Sequence, residues 1–313
     1  MIDLPGRVLV ATDGSEHATL AVHAAADLSN RADAELHVVH VRKPLPVQSS
    51  LSRPAYFDRV FEKFSDVYEE ETWQLMRRQV FRAKAEGTDV ADAHLREGRA
   101  AEEITGLARE LAADLVVVGS RGVGPVERLV KGSVSERVLR LAGCPTLVVR
   151  GGEGAWPPSR LVVGDDFSAE ARAAGEMAAA IGELFGVPTL LVSAYRPPRN
   201  YAPALPPSAL MYGDVPRQLE EALEQRASDL EDAVGARPEV RAVAGYAVEA
   251  IQGVVEEGDE PALVAVGRRG LAAARRMLLG SVSISLLRAT SGPLLIVPPS
   301  SCRTQREPDR RFA

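Results

Sequence analysis

The sequence predicts a protein of two doubly wound α/β domains, and three observations support this prediction. The length of 313 residues suits two domains of ordinary size, since one domain typically takes up roughly 150 residues. Short runs rich in Val and Leu alternate with longer stretches of helical periodicity, which is typical of a parallel sheet with helices on both faces. The same series of motifs then occurs a second time along the chain.

The repeat is visible at four motifs that keep their order in both copies. They are VLVATDGS (8–15) and LVVGDDFS (161–168), GSRG (119–122) and GRRG (267–270), KGSVS (131–135) and LGSVS (279–283), and CPTLVV (144–149) and GPLLIV (292–297). The offset between the copies is 153 residues at the first motif and 148 at the later ones. Several matches in one order indicate that a single unit was duplicated.

Each copy is predicted to contain five strands and four helices in alternation. In the first copy the strands are Val8–Ala11, Leu36–Val41, Val90–Leu95, Leu115–Val118 and Thr146–Val149, and the helices are Glu16–Leu28, Phe57–Glu86, Ala101–Leu111 and Ser133–Leu141. In the second copy the strands are Leu161–Val163, Thr189–Val192, Val240–Val243, Leu263–Val266 and Leu294–Val297, and the helices are Ala169–Phe185, Pro216–Val234, Val248–Glu256 and Val282–Ala289. Such alternation implies right-handed βαβ units and a five-stranded parallel sheet in each copy.

The boundary between the copies is predicted from a change in composition. Residues 1–150 form the first domain and residues 159–299 the second, and residues 151–158 form a linker that is rich in Gly and Pro. The tail from 300 to 313 is polar and is expected to be disordered.

Charge and residue content exclude several classes of function. The 37 basic and 43 acidic residues leave a net charge of −6, which disfavours nucleic acid as the main partner. No apolar run approaches the length of a membrane span, and no signal peptide is visible, so we expect a soluble cytoplasmic protein with no membrane partner. Two cysteines provide no disulfide framework, and no metal-binding spacing such as HExxH or a paired CxxC occurs.

The glycine spacing after the fourth strand of each copy predicts an anion site. Gly119, Gly122 and Gly132 have the spacing Gly-x2-Gly-x9-Gly, and a helix is predicted to begin at the serine that follows. Ligands of open parallel sheets bind at the carboxyl ends of the strands, where the strand order reverses. Glycines let the backbone approach a phosphate closely, and the exposed amides and dipole of a helix N-terminus attract it.

A simpler interpretation of this motif is a helix cap. Ser133 and Glu136 form a capping box, which begins many helices that bind nothing. The second copy distinguishes the two interpretations, because Ile284 replaces the glutamate while both glycines, the nine-residue gap and Gly-Ser-Val-Ser persist. Capping alone does not explain this persistence, so the repeated spacing favours the anion site.

Gly-x2-Gly-x9-Gly-(Ser/Thr) after the fourth strand, with an aspartate after the first, resembles the ATP-binding universal stress proteins. The chain looks like their tandem-domain form over about residues 5–150 and 158–299. The resemblance implies two domains of the adenine nucleotide alpha hydrolase-like, Rossmann-like fold. It also implies one ATP in each domain, with Mg²⁺ on the phosphates, and a role in a stress response.

The resemblance also implies the residues of each ATP site, by position. In the first copy they are Asp13 for the nucleoside end, Val41 for the adenine edge, Gly98 for the pocket lining, and Gly119, Gly122, Gly132, Ser133, Val134 and Ser135 for the ribose and triphosphate. In the second copy they are Asp166, Ala194, Gly245, Gly267, Gly270, Gly280, Ser281, Val282 and Ser283. An Asx turn or helix cap is the alternative role for the two aspartates. Arg268 and Arg269 stand where the first copy has Ser120 and Arg121, and they either add charge for the phosphates or point to solvent.

Three functional hypotheses follow from these observations. The first is a nucleotide-dependent regulatory protein that acts on an unknown protein partner. The second is a slow ATP hydrolase or phosphotransferase, which is disfavoured because Glu136 has no counterpart in the second copy. The third is a structural module without a ligand. For all three, the resemblance implies that Thr146–Val149 and Leu294–Val297 pair edge to edge, which makes the chain an intramolecular pseudo-dimer; pairing of whole chains into a homodimer stays open.

Overall fold

The computed structural model of the chain describes residues 4–44, 55–85, 87–120, 133–152, 154–196, 215–258, 260–270 and 280–299. The strands are β1 Arg7–Ala11, β2 Glu35–Arg42, β3 Val90–Glu97, β4 Leu115–Gly119, β5 Thr146–Val149, β6 Arg160–Gly164, β7 Thr189–Tyr195, β8 Glu239–Ala244, β9 Ala262–Gly267 and β10 Leu294–Val297. The helices are α1 Glu16–Ala32, α2 Ala55–Ala85, α3 Ala100–Glu110, α4 Ser133–Leu141, α5 Ala169–Phe185, α6 Val215–Val234, α7 Ala247–Glu256 and α8 Ser281–Ala289. The predicted tail and the predicted site residues Gly122 and Gly132 lie outside the described residues.

All strands and helices predicted from the sequence are present, and their ends differ by only a few residues. Helix α1 illustrates such a difference, because it continues to Ala32 rather than ending at Leu28. It ends where Asp33 adopts a left-handed conformation with φ of 52° and donates its backbone N–H to the carbonyl of Ser29. Aspartate is one of the few residues other than glycine that tolerate this conformation, and its position therefore sets the end of the helix.

The ten strands form one sheet in the order β3-β2-β1-β4-β5-β10-β9-β6-β7-β8. Every neighbouring pair is parallel except β5 and β10, which run antiparallel with Leu147 opposite Leu295. The edge-to-edge pairing of the two halves that was expected from the sequence is therefore confirmed. This pairing satisfies the backbone groups of strands that would otherwise be exposed sheet edges.

The helices cover the sheet in two layers, because successive side chains of a strand point to opposite faces. Val8 and Val10 belong to the apolar cluster under α1, α2, α5 and α6, whereas Leu9 belongs to the cluster under α3, α4, α7 and α8. Each cluster contains residues from both halves; Leu147 and Leu295, for example, share the first one. The two halves consequently share their hydrophobic core on both faces of the sheet.

The segment between β5 and β6 adds a polar and aromatic connection between the halves. Trp156 is 7% exposed, and its indole Nε1 donates to Asp27 Oδ2 of α1 at 3.0 Å. The same indole meets the ring of Phe185 of α5 edge-on, with 5.4 Å between the ring centroids. The guanidinium of Arg31 of α1 lies over the ring of Phe185, 4.4 Å from its centroid, and forms an ion pair with Asp27. Trp156 is thus wedged between the first helix of each half.

Two arginines cap helix ends across the same junction. Arg150 Nη1 of the first half donates to the carbonyl of Thr290, directly after α8, at 2.8 Å. Arg268 Nη1 of the second half donates to the carbonyl of Ala142, directly after α4, also at 2.8 Å. The last carbonyls of a helix lack N–H donors within it and carry partial negative charge, so a cation is stabilised there.

Replacing Trp156 by Ala is expected to lower the free energy of unfolding by about 3–5 kcal/mol, because a large buried side chain is lost and leaves a cavity. Trp156→Phe is the matched control, because it keeps an aromatic ring and removes the hydrogen bond to Asp27. Asp27 keeps its ion pair with Arg31, so this substitution is expected to cost about 1 kcal/mol. Urea denaturation followed by circular dichroism measures both. Equal losses for the two variants would contradict a packing role for the indole.

Candidate functional site

The strand order of the sheet reverses at one point in each half. In the first half β1 is followed by β2 and β3 on one side and has β4 on the other, and in the second half β6 lies between β7 and β9 in the same way. Asp13 lies two residues beyond β1, and Gly119 ends β4; Asp166 and Gly267 occupy the matching places in the second half. Such reversal points open a crevice at the carboxyl ends of the strands, and the candidate residues lie beside it.

Side-chain to backbone hydrogen bonds shape the turn after β1. Asp13 Oδ1 accepts from the backbone N–H of Ser15 at 3.1 Å, and Thr12 Oγ1 accepts from that of Gly14 at 3.2 Å. Ser15 then caps α1 by accepting from the N–H of Ala18 at 3.2 Å. The Asx turn that was the alternative role for Asp13 is therefore present, and it fixes one carboxylate oxygen.

The turn after β6 is built in the same way from different residues. Asp166 Oδ1 accepts from the N–H of Ser168 at 3.1 Å, and Ser168 caps α5 through the N–H of Ala171. Asp165 stands where the first half has Thr12, and its Oδ1 accepts from the N–H of Phe167 at 2.7 Å. The two halves thus hold their aspartates at the strand end by equivalent bonds.

The loop after β9 lies directly against the aspartate after β6. A Cβ atom added to Gly270 would be 2.0 Å from Asp166 Oδ2, so the backbone of this loop lies close to the carboxylate, and a side chain there would displace it. The structure therefore brings the predicted site residues Asp166 and Gly270 together. Their counterparts in the first half are Asp13 and Gly122, of which Gly122 lies outside the described residues.

Gly119 and Gly267 have a packing reason to be glycine. A Cβ atom on Gly119 would lie 2.7 Å from the carbonyl oxygen of His17, and one on Gly267 would lie 2.7 Å from Glu170 Cβ and 2.8 Å from its carbonyl carbon. In both halves the first turn of the helix that follows the aspartate packs on this glycine. The close approach occurs between strand and helix within the protein, and it explains the glycine whether or not a ligand binds.

The glycine pair Gly98 and Gly245 is explained by backbone conformation. Gly98 has φ of 150° and donates its N–H to the carbonyl of Arg42, and Gly245 has φ of 145° and donates to the carbonyl of Tyr195. Positive φ values of this size are open to glycine and strained for other residues. Each glycine ties the end of its strand to the neighbouring strand.

The predicted adenine-edge residues are also at strand ends. Val41 of β2 pairs with Arg96, and Ala194 of β7 pairs with Val243, so both lie at matching places near the carboxyl edge of the sheet. They are half-buried.

Helix α4 begins at the predicted Ser133 and α8 at Ser281, one residue before the predicted start, and both expose their first residue. Ser133 and Val134 open α4, and Ser281 opens α8 after the cap residue Gly280; Ser133, Val134 and Ser281 are exposed, whereas Val282 is half-buried. The first amides of a helix have no acceptor within it, so these N–H groups are available for an anion.

The second serine of each motif is not an external donor. Ser283 is 2% exposed, and its hydroxyl donates to the carbonyls of Gly267 at 2.9 Å and Arg268 at 3.1 Å. Gly280 also donates its N–H to the carbonyl of Arg268, so the start of α8 is fastened to the end of β9. Ser135 is buried to the same degree, at 3% exposed. Of the predicted hydroxyl donors, Ser133 and Ser281 are those on the surface.

Arg268 has a structural role that was not considered from the sequence. Its guanidinium caps α4 of the other half through Ala142, as described above, while its backbone carbonyl binds the start of α8. Sequence reasoning missed this role, since the contact joins residues 126 positions apart.

A buried ion pair beneath the second turn was also missed. Arg226 Nε of α6 lies 3.6 Å from Asp165 Oδ2, and the two side chains are 12% and 1% exposed. Burial raises the pKa of Asp165, while the N–H of Phe167 and the charge of Arg226 lower it by smaller amounts. The available signal in the sequence was the replacement of Thr12 by a second aspartate at the same place of the repeat.

Two kinds of feature are absent from the part of the chain that the structure describes. No group of three or more His, Cys, Asp or Glu side chains is arranged to hold a metal ion there. Among the described helices, none combines the length and the apolar character that a membrane crossing needs.

Comparison with known proteins identifies one family. The model of the universal stress protein family matches the chain twice, at residues 5–150 and 158–298. The universal stress protein YxiE of Bacillus subtilis is 34% identical over 146 residues, which are 46% of this chain and 98% of that protein. A universal stress protein of Thermus aquaticus is 37% identical over 146 residues, covering 46% of this chain and 97% of its own length. These relatives thus correspond to about half of the chain.

A solved structure matches the whole arrangement of the chain. A universal stress protein from Archaeoglobus fulgidus superposes with a TM-score of 0.62 at 21% identity and covers 94% of this chain and 98% of its own. At this identity the likeness concerns the fold alone.

Gly267→Ala is expected to lower the free energy of unfolding by about 1–3 kcal/mol, because the new methyl group meets the first turn of α5. Gly253→Ala is the matched control within the same half: a Cβ there meets nothing within 4 Å, and alanine is the better helix former, so stability should rise by up to about 1 kcal/mol. Urea denaturation measures both changes. A Gly267→Ala protein as stable as the parent would refute the packing role.

Proposed function

The chain belongs to the universal stress protein family, and from this premise we propose that it is a nucleotide-dependent regulatory protein that binds one ATP in each half. In this proposal residues 1–150 and 159–299 are the two domains, residues 151–158 are the linker, and the protein acts in the cytoplasm in a stress response. Occupancy by ATP changes the affinity for a protein partner, which requires that ATP binds two conformations with different affinity.

The observations that carry the proposal are the contact between Asp166 and Gly270 beside the reversal of strand order and the exposed start of α8. The carboxylate of Asp166 would bind the nucleoside end, and the backbone at Gly270 comes close enough to it to leave no room for a side chain. The exposed first amides of α8 would bind phosphates. The first half supplies the equivalent Asp13 and the exposed start of α4, which supports a second site of the same kind.

In this proposal Mg²⁺ binds together with ATP. The described residues provide no cluster of metal ligands, so the ion would be held by the phosphates of ATP and would neutralise part of their charge. The chain's own contribution is then the positive end of each helix and the hydroxyls of Ser133 and Ser281.

Binding is favoured over hydrolysis as the function of this crevice. The carboxylate considered for catalysis, Glu136, binds Arg140 at 2.6 Å and lies 3.8 Å from Arg288 of the other half. Ile284 stands at the equivalent place of the second half. A slow turnover of ATP remains an alternative outcome of the binding experiments below.

Titration calorimetry with Mg-ATP is expected to give about two ATP per chain for the parent protein. Ser133→Glu and Ser281→Glu should each remove one equivalent, because a carboxylate at the start of a helix repels the phosphates. Both variants are expected to fold, since an acidic side chain stabilises a helix N-terminus by about 0.3–1 kcal/mol.

The control for the second half is Ser285→Glu, which adds the same charge further along α8 at another exposed position and should keep both equivalents. Release of nucleotide from purified protein, identified by mass spectrometry, gives an independent check. A parent protein that binds no ATP in the presence of Mg²⁺ would overturn the proposed function.

A further inference from the structure

The two halves hold the turn at the crevice with different buried side chains. Thr12 and Gln79 of the first half are replaced by Asp165 and Arg226 in the second. Gln79 and Arg226 are equivalent because the offset of 147 residues between them is also the offset between Gly98 and Gly245. Gln79 is 3% exposed, as expected for a residue that occupies the same buried place under the sheet as Arg226. The second half thus has an ion pair at positions where the first half has two neutral residues.

The ion pair is deeply buried and incompletely bonded. Asp165 Oδ2 has no hydrogen-bond partner among the described residues, and neither has Arg226 Nη1, although Arg226 Nε lies 3.6 Å from Asp165 Oδ2. An arrangement of this kind is a poor source of stability, because taking two charges out of water costs as much as their attraction returns. Its position beside the second turn is better explained by the support that it gives to this turn.

The turn that it holds is strained in the second half. Phe167 has φ of 64°, where the first half has Gly14 with φ of 79°. Glycine adopts this conformation without cost, whereas a phenylalanine must be held there by its surroundings. Asp165 Oδ1 holds the backbone N–H of Phe167, and the guanidinium of Arg226 lies 5.9 Å from the centre of its ring.

The helix that packs on this turn also differs between the halves, in a way that suits glycine in the first and phenylalanine in the second. A Cβ atom on Gly14 would lie 2.6 Å from Leu75 Cδ1, so α2 leaves no room for a side chain there. At the same offset of 147 residues α6 has the smaller Ala222. The second half thus accepts a large side chain in the turn and uses Asp165 and Arg226 to fix it.

We propose that Asp165 and Arg226 are the positioning residues of the second nucleotide site, and that they fix the turn so that Asp166 meets the nucleoside end of the ligand. This inference rests on the proposed function. Asp166 lies between the two residues that Asp165 Oδ1 connects, and its own Oδ1 is bound by Ser168 while its Oδ2 lies against Gly270. Release of the turn therefore moves the carboxylate that is expected to bind the nucleoside.

The ion pair makes the second site sensitive to pH in a way that the first is not. The pKa of Asp165 is raised by burial, and the charged groups that act on it are Arg226 of α6 and the neighbouring Asp166. As the pH falls through this raised pKa, Asp165 is protonated, Arg226 loses its partner and the affinity of the second site decreases. Thr12 and Gln79 do not titrate, so the first site lacks this cause of acid sensitivity.

The test uses the full chain with Ser133→Glu, which leaves the second site for Mg-ATP. Asp165→Asn and Arg226→Gln are each expected to weaken binding about tenfold, since each leaves one buried charge or polar group without its partner. The double variant Asp165→Thr, Arg226→Gln reproduces the pair of the first half and should bind within about threefold of the parent. Adding Phe167→Gly to Asp165→Asn should also restore binding, because glycine needs no support in this turn.

A pH series separates positioning from a general loss of stability. The ratio of the second-site affinity to the first-site affinity, measured in the Ser133→Glu and Ser281→Glu proteins, should fall on acidification in the parent and stay constant in the double variant. Protonation of ATP changes both affinities by the same factor, so it cancels in this ratio. The first-site affinity should not change when Asp165 or Arg226 is replaced.

Single variants that bind like the parent, or a ratio that is independent of pH, would overturn the inference while leaving the proposed function in place. Equal losses at both sites would also overturn it, because they would show a general effect on folding. A parent protein that binds no Mg-ATP would remove the proposed function itself, and this result is obtained before any replacement of Asp165 or Arg226 is made.

Discussion

The antiparallel pairing of β5 with β10 is the interaction on which the rest of the structure depends. It joins two five-stranded sheets into one and covers the edge that each would otherwise expose. Both hydrophobic layers then extend across the junction, and Trp156 and the arginines Arg150 and Arg268 add directed contacts along it. Because β5 follows α4 and β10 follows α8, the helices that open the two candidate sites are connected directly to the paired strands.

The architecture could be predicted from the sequence because its signals are local and occur twice. Alternating strand and helix patterns located every element, and the repeated motifs related the two halves. The candidate site was predicted less completely. The glycine spacing located the loops, but which atoms a missing Cβ would meet depends on tertiary contacts, as between Gly119 and His17. The direction of Arg268 and the burial of Ser283 likewise depend on neighbours distant in sequence.

Duplication explains why one turn can be built in two ways. Gly14 adopts the positive φ of the first turn without strain, and Leu75 of α2 packs closely against it. A phenylalanine at position 167 fills more space and adds apolar contacts to the core, at the cost of backbone strain that Asp165 must offset. The chain therefore contains a neutral and a charged version of the same support, and the two sites are chemically distinct even though their motifs agree.

The glycines of the repeated motif do not all carry the same weight for function. Gly98 and Gly245 are required by positive φ, and Gly119 and Gly267 by the helix that packs on them, so a protein of this fold needs them even without a ligand. Gly270 differs, because the three atoms nearest to an added Cβ all belong to the carboxylate of Asp166. This contact therefore joins two predicted site residues, whereas Gly119 and Gly267 join a strand to a packed helix. The functional argument therefore rests on Asp166, Gly270 and the open helix end, rather than on the glycine pattern as a whole.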